Sequence, residues 1–330
     1  MIRIPADGDY GRSGSPTGPP TDWSAHERDT VIDGRRVRYV DIGEGPLGFV
    51  CVHGMGGCWQ HFSQMLPALA RHGRAIALDL PGFGESQMPL RRTTLERFAD
   101  TAATLASQLG LQRVIFVGHS MGGPIALRFA RRHPQLTESL ILLAGAVQTF
   151  SALLGLRGLR HIARQQPRDT AAIYTEVLTC GIPIPGFAKR AIARHSRLRT
   201  SALWPYVHRP RRLQAETIAL IMAGAGARAV LPTALAIATS DPYEGLDQIQ
   251  CPILSIGAEH DHIAPVADLQ AFDRMAPQAS TVLLEDCGHL MMLERPVALN
   301  EQVDRFLAQA LNGGPQTRGH LAEKRNASHD

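Results

Sequence analysis

A serine flanked by glycines ends one apolar stretch of the sequence. In FVGHSMGG, residues 116–123, Ser120 has Gly118 two positions before it and Gly122 two positions after it. The preceding run is typical of a buried strand and the following residues of a helix, so we expect a tight, strained strand-to-helix turn. Such a turn would hold the hydroxyl above a sheet as a nucleophile. The amide of Met121 would then lie at a helix N-terminus, where free N–H groups favour negative charge.

A serine hydroxyl is a weak nucleophile until a base takes its proton, and a carboxylate usually orients that base. His289 is the candidate base because it follows the apolar run TVLLEDCG, which places it on a loop at the end of the last strand. The stretch PILSIGAEHDHIAP offers Asp261 as the carboxylate, with Glu259 as the fallback. His260 and His262 flank Asp261 but belong to no larger ligand cluster, so we expect no metal site.

A second oxyanion donor should come from a loop after an early strand. The stretch VCVHGMGGCW fits this requirement and predicts the amide of Met55 as the partner of the Met121 amide. A phosphate-binding loop is the alternative, but the spacing is not GxGxxG and no Gly-Lys pair occurs in the chain, so we expect no nucleotide cofactor. Asp79, in LDLPGFGES, is expected to be structural. We expect four further residues to contact substrate: His53, Gly54, His119 and Trp204.

The order of apolar runs indicates the elements that position these residues. TVIDGRRVRYVDIG reads as a hairpin around Asp33-Gly34, and short buried-strand runs then alternate with helical periodicity. This alternation predicts an α/β fold with a mostly parallel sheet covered by helices on both faces. From about residue 147 to residue 247 the pattern is helical only, which predicts an inserted cap. The predicted divisions are a flexible segment 1–26, a core in two parts, 27–146 and 248–312, the cap 147–247, and a flexible tail 313–330.

Composition narrows the class of protein. The five cysteines form no CxxC pair, and no signal peptide or membrane-spanning run is read, which together predict a cytoplasmic protein with reduced thiols. The net charge of +4 is uneven, because residues 151–212 hold twelve basic and two acidic residues, a balance of +10, and the remainder sums to −6. Because the basic residues cluster in one segment without a known binding module, we expect no nucleic-acid partner.

Together, these motifs resemble the α/β-hydrolase family, in its form with a helical cap. The resemblance covers about residues 28–311. Its matching stretches are HGMGG at 53–57, DLPGFGES at 79–86, GHSMGG at 118–123, GAEHDHIAP at 257–265 and GHLMMLERP at 288–296.

The resemblance implies attack by Ser120 on an ester, lipid ester or thioester, with no cofactor. In this family, dehalogenases and most epoxide hydrolases use an aspartate as nucleophile, so the serine disfavours those activities. An acyltransferase, a carbon–carbon bond hydrolase and a cofactor-free haloperoxidase remain as alternatives, as does a non-catalytic ligand-binding protein. The carbon–carbon hydrolases usually carry a tryptophan after the histidine, whereas Leu290 and Met291 follow it here.

The basic residues of the expected cap suggest one surface. Arg157, Arg160 and Arg164 are spaced to share one helix face, and the same spacing predicts a second face. That second face carries Arg190, Arg194 and Arg197. One interpretation is an ordinary solvated face. The other is a surface that contacts anionic lipid or an anionic group of the substrate. The sequence does not indicate an oligomeric state.

Overall fold

A computed structural model of the chain describes residues 1–13, 21–155 and 167–312. Its centre is a nine-stranded sheet in the order β1-β9-β8-β7-β6-β4-β5-β3-β2. The strands are β1 Ile2–Ile4, β2 Glu27–Ile32, β3 Arg35–Ile42, β4 Leu47–Val52, β5 Arg74–Leu78, β6 Arg113–His119, β7 Thr137–Leu143, β8 Ile253–Ala258 and β9 Ser280–Leu284.

The sheet is mostly parallel, as predicted. The pairs β2–β3 and β3–β5 are antiparallel, and the other pairs are parallel. The β2–β3 hairpin turns through Asp33 and Gly34, whose φ angles are 50° and 71°, as a tight hairpin turn requires. Because the central strands are parallel, the loops after β4, β6, β8 and β9 emerge at one edge of the sheet.

Helices cover this sheet. The described α-helices are α1 Leu66–Leu69, α2 Leu95–Gln108, α3 Gly122–Arg132, α4 Gln148–Leu154, α5 Pro167–Thr179, α6 Gly186–Arg194, α7 Ser196–Leu203, α8 Ala215–Ile221, α9 Val230–Ala238, α10 Val266–Met275, α11 Met291–Glu294 and α12 Pro296–Asn312. Residues 114–119 of β6 are all buried, on both faces of the strand, which explains why this strand is a continuous apolar run rather than an alternating one.

The N-terminal residues differ from the prediction of a flexible segment. Ile2–Ile4 forms an edge strand that pairs in parallel with β9. Asp9 is buried and accepts a 2.6 Å hydrogen bond from Arg295, a residue 286 positions away. A segment rich in Gly, Pro and Ser is therefore ordered over residues 1–13, because its partners lie at the far end of the chain.

A second difference concerns the stretch from Trp59 to Arg71, for which the sequence predicts one continuous helix. This stretch instead forms a 3-10 turn at Trp59–Phe62, followed by the four-residue helix α1. The amide of Trp59 donates to Asp79 at 2.7 Å, which fixes the start of the 3-10 turn. The stretch is therefore not the continuous helix that the sequence predicts.

Between β7 and β8 the described residues are helical, with no strand. We call residues 147–247 the helical segment, of which residues 147–155 and 167–247 are described. It contacts the loops at the carboxyl edge of the sheet. The contacts are Ile221 O with His61 Nε2, Tyr206 O with Leu290 N, and Asp169 with His262. No helix among the described residues is long and apolar enough to cross a membrane.

Candidate active site

Ser120 occupies the strained turn that the glycine spacing predicts. It follows β6, precedes α3, and has a φ of 52°, in the left-handed region that a side chain rarely adopts. Its amide donates to Leu143 O at 2.8 Å, which holds the turn against the neighbouring strand. A Cβ on Gly118 would lie 2.2 Å from Gly122 O, and one on Gly122 would lie 2.4 Å from Val52 O. The two glycines are thus required by close backbone approach on both sides of the serine.

His289 and Asp261 meet across the edge of the sheet. His289 follows β9 and Asp261 follows β8, and His289 Nδ1 lies 2.8 Å from Asp261 Oδ2. The other carboxylate oxygen, Oδ1, accepts the amides of Ile263 and Ala264, both at 2.8 Å. The loop therefore fixes the carboxylate, and the carboxylate fixes the imidazole with Nδ1–H as donor. Glu259, the fallback, instead accepts the amide of Asp286.

Asp261 makes the imidazole of His289 a stronger base than a free imidazole. Burial alone would lower the pKa of this imidazole, but the charge of Asp261 and its hydrogen bond outweigh burial and raise the pKa. The opposite ring nitrogen, Nε2, is buried and has no hydrogen-bond partner among the described residues. His289 is therefore oriented on one side and has an unused lone pair on the other.

The hydrogen bond between Ser120 and His289 is not formed within the described structure. The two residues are nevertheless neighbours. His119, next to Ser120 in the chain, has its ring centroid 4.7 Å from that of His289, and its Nε2 lies 3.0 Å from His289 O. Catalytic hydrogen bonds are often long or misaligned without substrate. The structure thus brings Ser120, Asp261 and His289 to one place, with the Asp261–His289 hydrogen bond formed and the Ser120–His289 hydrogen bond not formed.

The loop after β4 passes directly over the serine. A Cβ at Gly54 would lie 2.8 Å from Ser120 Cβ, so only glycine allows this approach. The amides of Met55 and Met121 donate to no other group within residues 1–13, 21–155 and 167–312. Both amides are therefore free to donate to another group, which is one of the requirements for oxyanion donors.

His53 and His119 differ from the substrate contacts expected of them. The His53 side chain is fully buried, and its ring nitrogens bond to Gly54 O at 2.7 Å and to the Leu80 amide at 3.0 Å. Burial lowers the pKa of His53 to about 3, so it stays neutral. His119 supports the backbone of the His289 loop, as described above. Both imidazoles therefore hold the backbone of loops around Ser120. His53 bonds to the loops after β4 and β5, and His119 bonds to the His289 loop.

A small apolar cavity opens beside Ser120. It is narrow, and its free space accepts about one water molecule. The residues that line it are Met55, Ser120, Met121, Val147, Phe150 and Ile237. Trp204 does not line it. The Trp204 ring instead lies 6.3 Å from His262.

The structure also locates the basic residues of the helical segment. Arg157, Arg160 and Arg164 fall outside the described residues. Arg190 and Arg194 are exposed on α6, four positions apart. Arg197 is exposed as well, but it belongs to α7, because the chain leaves helical geometry at His195, with φ −106° and ψ 114°. The second predicted face is thus carried by two helices.

Two buried glutamates near the site, Glu176 and Glu294, received no role from the sequence. Glu294 accepts hydrogen bonds from the amides of Gly288 and Leu290, from the Tyr10 hydroxyl and from the His208 amide. It thereby links the His289 loop to the N-terminal segment and the helical segment. Glu176, on α5, is 2% exposed, and its Oε2 has no partner among the described residues. In the sequence, the one sign that Glu176 faces the same side as Asp169 is the helical spacing between the two residues.

Comparison with known proteins gives relatives of several activities. The dihydrolipoyllysine-residue acetyltransferase component of the acetoin cleaving system of Pseudomonas putida is 29% identical over 287 residues, which cover 84% of this chain and 68% of that protein. A soluble epoxide hydrolase from Corynebacterium sp. (strain C12) is 27% identical over 293 residues, which cover 84% of this chain and 96% of that one. A putative 2-succinyl-6-hydroxy-2,4-cyclohexadiene-1-carboxylate synthase of Bacillus subtilis (strain 168) is 28% identical, with 84% and 97% covered.

Solved structures show the same fold. A thermophilic esterase from Thermogutta terrifontis superposes with a TM-score of 0.62 and 24% identity, covering 86% of this chain and 98% of that chain. A mutant meta-cleavage product hydrolase gives a TM-score of 0.65 with 18% identity and the same coverage. At these identities the likeness concerns the fold alone. A family model described as alpha/beta hydrolase fold matches residues 49–296, which include the serine turn, the acid loop and the histidine. The chain therefore belongs to the α/β-hydrolase fold family.

Proposed function

We propose that the protein is a serine hydrolase that cleaves a carboxylic ester, lipid ester or thioester through an acyl-enzyme on Ser120. The observation that carries this proposal is the arrangement around His289. Its Nδ1 is held by Asp261, its Nε2 is unused, and its ring lies beside the residue that precedes Ser120. A base oriented in this way needs only a small rearrangement to accept the serine proton.

The reaction would proceed in two halves. His289 Nε2 takes the proton of Ser120 as its oxygen attacks the carbonyl carbon, and the amides of Met55 and Met121 bind the oxyanion. His289 then gives the proton to the departing alcohol, which leaves an ester on Ser120. In the second half, His289 activates a water, which releases the acid and restores the serine. Asp261 orients the imidazole and stabilises its positive form throughout.

The cavity beside Ser120 suggests which part of the substrate lies where. Its walls, other than the serine, are the side chains of apolar residues, which suit a short acyl chain and offer no partner to a charged group. The departing alcohol must lie on the His289 side, since His289 supplies its proton. The proposed enzyme thus holds the acyl group under the helical segment, which acts as a cap.

A labelling experiment tests the proposal. We expect a fluorophosphonate probe to label the protein at Ser120, and p-nitrophenyl butyrate to be hydrolysed. Ser120→Ala should abolish both, and Asp261→Asn should reduce kcat by about a thousandfold or more. Glu259→Gln is the matched control and should keep both, because this neighbouring carboxyl bonds to the Asp286 amide rather than to His289. A folded protein that the probe does not label would indicate a non-catalytic ligand-binding protein.

Acyl transfer is the second candidate, and a named relative favours it. The Pseudomonas putida relative is named as an acetyltransferase component. The same triad transfers an acyl group when an alcohol replaces water in the second half-reaction. Adding an acceptor alcohol to the esterase assay and measuring the new ester separates the two activities. The carbon–carbon and haloperoxidase alternatives would show as turnover of a ring-cleavage diketone or of peroxide with halide.

We further propose that α6 contacts anionic lipid. Phe187, Arg190 and Arg194 are spaced by three and four residues, so they share one helix face, and all three are exposed. An aromatic ring among arginines suits the interface of an anionic membrane.

The protein should sediment with vesicles that contain phosphatidylserine and should be released by added salt. Arg190→Glu with Arg194→Glu should prevent sedimentation, whereas the control, Arg91→Glu with Arg92→Glu on an exposed loop, should not. Salt-independent binding would contradict the proposal.

A cytoplasmic location fits the cysteines. All five are free thiols in the structure, and free thiols persist in reducing compartments.

A further inference from the structure

Helix α5 lies across the candidate active site with one face toward it. Asp169, Ile173 and Glu176 follow helical spacing and are buried, and Cys180 continues the same face just beyond the last turn. Asp169 Oδ1 lies 2.8 Å from Nδ1 of His262, the neighbour of Asp261. At the other end, a Cβ on Gly56, in the loop after β4, would meet Cys180 Sγ at 2.7 Å. The face therefore runs from the acid loop to the oxyanion loop.

Glu176 is the middle of this face, and its surroundings are those of the catalytic residues. It lies on the helix face between the Asp169 contact with His262 and the Cys180 approach to Gly56, and its charge interacts with those of His289 and Asp261. Cys180 Sγ lies 3.3 Å from Tyr206 Oη, and the Tyr206 carbonyl accepts the amide of Leu290 directly after His289. Glu176, Cys180 and Tyr206 thus form a polar wall beside the loops that carry His289 and Gly56, and none of the three lines the apolar cavity.

A buried carboxyl oxygen with no partner is costly to retain in a fold. Glu176 Oε2 is such an atom, whereas Asp169 and Cys180 on the same helix face have polar partners. Burial raises the pKa of Glu176 to about 7, with His289 lowering it and Asp261 raising it. The carboxyl is therefore poorly solvated as long as the site is empty, and a donor brought by a ligand would satisfy it.

We propose that Glu176 is a specificity-determining residue that accepts a hydrogen bond from the alcohol part of the substrate. This inference rests on the proposed function, because the departing alcohol must lie beside His289 to receive its proton. An alcohol at that place meets the polar wall rather than the apolar cavity. The substrate class is thus an ester of an apolar acid with an alcohol that carries a second hydroxyl or an ammonium group.

Two pairs of matched esters test the proposal. Hydroxyethyl butyrate is compared with propyl butyrate, and dimethylaminoethyl butyrate with 3-methylbutyl butyrate, so that each pair differs in the donor but hardly in shape. We expect kcat/KM of the wild-type protein to favour the donor-bearing ester of at least one pair by about tenfold to a hundredfold, as a hydrogen bond to a buried carboxyl allows.

Two substitutions then assign the preference to Glu176. Glu176→Met, a near-isosteric apolar change, should bring the ratio within each pair to about one. Glu176→Gln keeps an acceptor without the charge, so it should preserve a preference for hydroxyethyl and remove one for dimethylaminoethyl. The matched control is Glu216→Gln, on an exposed part of α8, which should leave both ratios unchanged.

The outcomes separate this inference from the proposed function. Equal ratios in the wild-type protein and Glu176→Met, with both esters hydrolysed, would overturn the role of Glu176 and keep the serine hydrolase. Failure of the folded wild-type protein to hydrolyse any of the four esters or to react with the probe would overturn both. If Glu176→Met does not fold, Glu176→Gln provides the test. A preference for the dimethylaminoethyl ester that is the same in Glu176→Gln and in the wild-type protein would overturn the role of Glu176.

Discussion

At the scale of single residues, the site is assembled from groups that each need a different neighbour. Ser120 needs a strained turn, Asp261 needs two amides, and His289 needs the carboxylate. These needs are local to strand ends, which is why the sequence could offer a candidate residue for each of the three positions. The sequence assigned His53 to substrate contact and singled out nothing at Glu176, because the surroundings of both side chains depend on burial and on partners distant in the chain.

The first prediction concerns the acid limb of the pH–rate profile. Only neutral His289 can accept the serine proton, so kcat/KM for p-nitrophenyl butyrate should fall as pH drops through its pKa, which lies above 6.5. Asp261→Asn removes the charge that raises this pKa, so the midpoint of the residual activity should move to lower pH. Profiles from pH 5 to 9 measure both midpoints. An unshifted midpoint in the variant would assign the limb to another group.

The second prediction concerns stability and Glu176. Its pKa rises from 4.5 to about 7 on folding, so the folded state binds its proton more tightly than the unfolded state. That contribution is fully present below pH 4.5 and is lost as pH rises to about 7. The free energy of unfolding of the wild-type protein should therefore fall relative to Glu176→Gln by up to about 3 kcal/mol across this window. Urea unfolding at pH 4.5, 6 and 8 measures the difference, which a pH-independent gap would contradict.

At the scale of elements, local signals succeeded where an element depends on its own residues. The β2–β3 hairpin and the serine turn lie where the sequence places them, since turn glycines and apolar runs specify them. The N-terminal segment was misjudged for the opposite reason. Its order comes from β9 and Arg295, and composition contains no information about partners almost the whole chain away.

The third prediction measures how strongly that segment is held. Arg295 is almost fully buried, and its guanidinium bonds to Asp9 and Asp7. Asp9→Ala leaves a buried charge without its buried partner and should lower the free energy of unfolding by about 3 kcal/mol. Asp7→Ala is the matched control. The Asp7 side chain is 54% exposed, so its loss should cost less than about 1 kcal/mol. Equal costs in urea unfolding would show that Asp9 is not the anchor.

At the scale of the whole molecule, the sheet edge and the helical segment enclose the candidate site. The sequence predicted that a helical segment interrupts the sheet, but not which of its side chains face the catalytic loops. Those contacts, such as Asp169 with His262 and Cys180 with Gly56, depend on how helices pack across the sheet edge. The packing leaves room for about one water beside Ser120, so an ester can enter only when the helical segment moves or its side chains rearrange.

The last prediction uses that enclosure. Because the cavity is small and apolar, kcat/KM should be higher for p-nitrophenyl acetate or butyrate than for the octanoate. Ile237 lines the cavity from α9, so Ile237→Ala should shift the preference toward the octanoate by about tenfold, through the space that the lost side chain leaves. Ile218→Ala is the matched control, since Ile218 is a buried isoleucine of α8 that does not line the cavity. Both variants should lose comparable stability, about 2–4 kcal/mol, so a shift seen in Ile237→Ala alone reports the acyl site. The same shift in both variants would mean that loosening the helical segment, rather than the cavity wall, sets the chain-length preference.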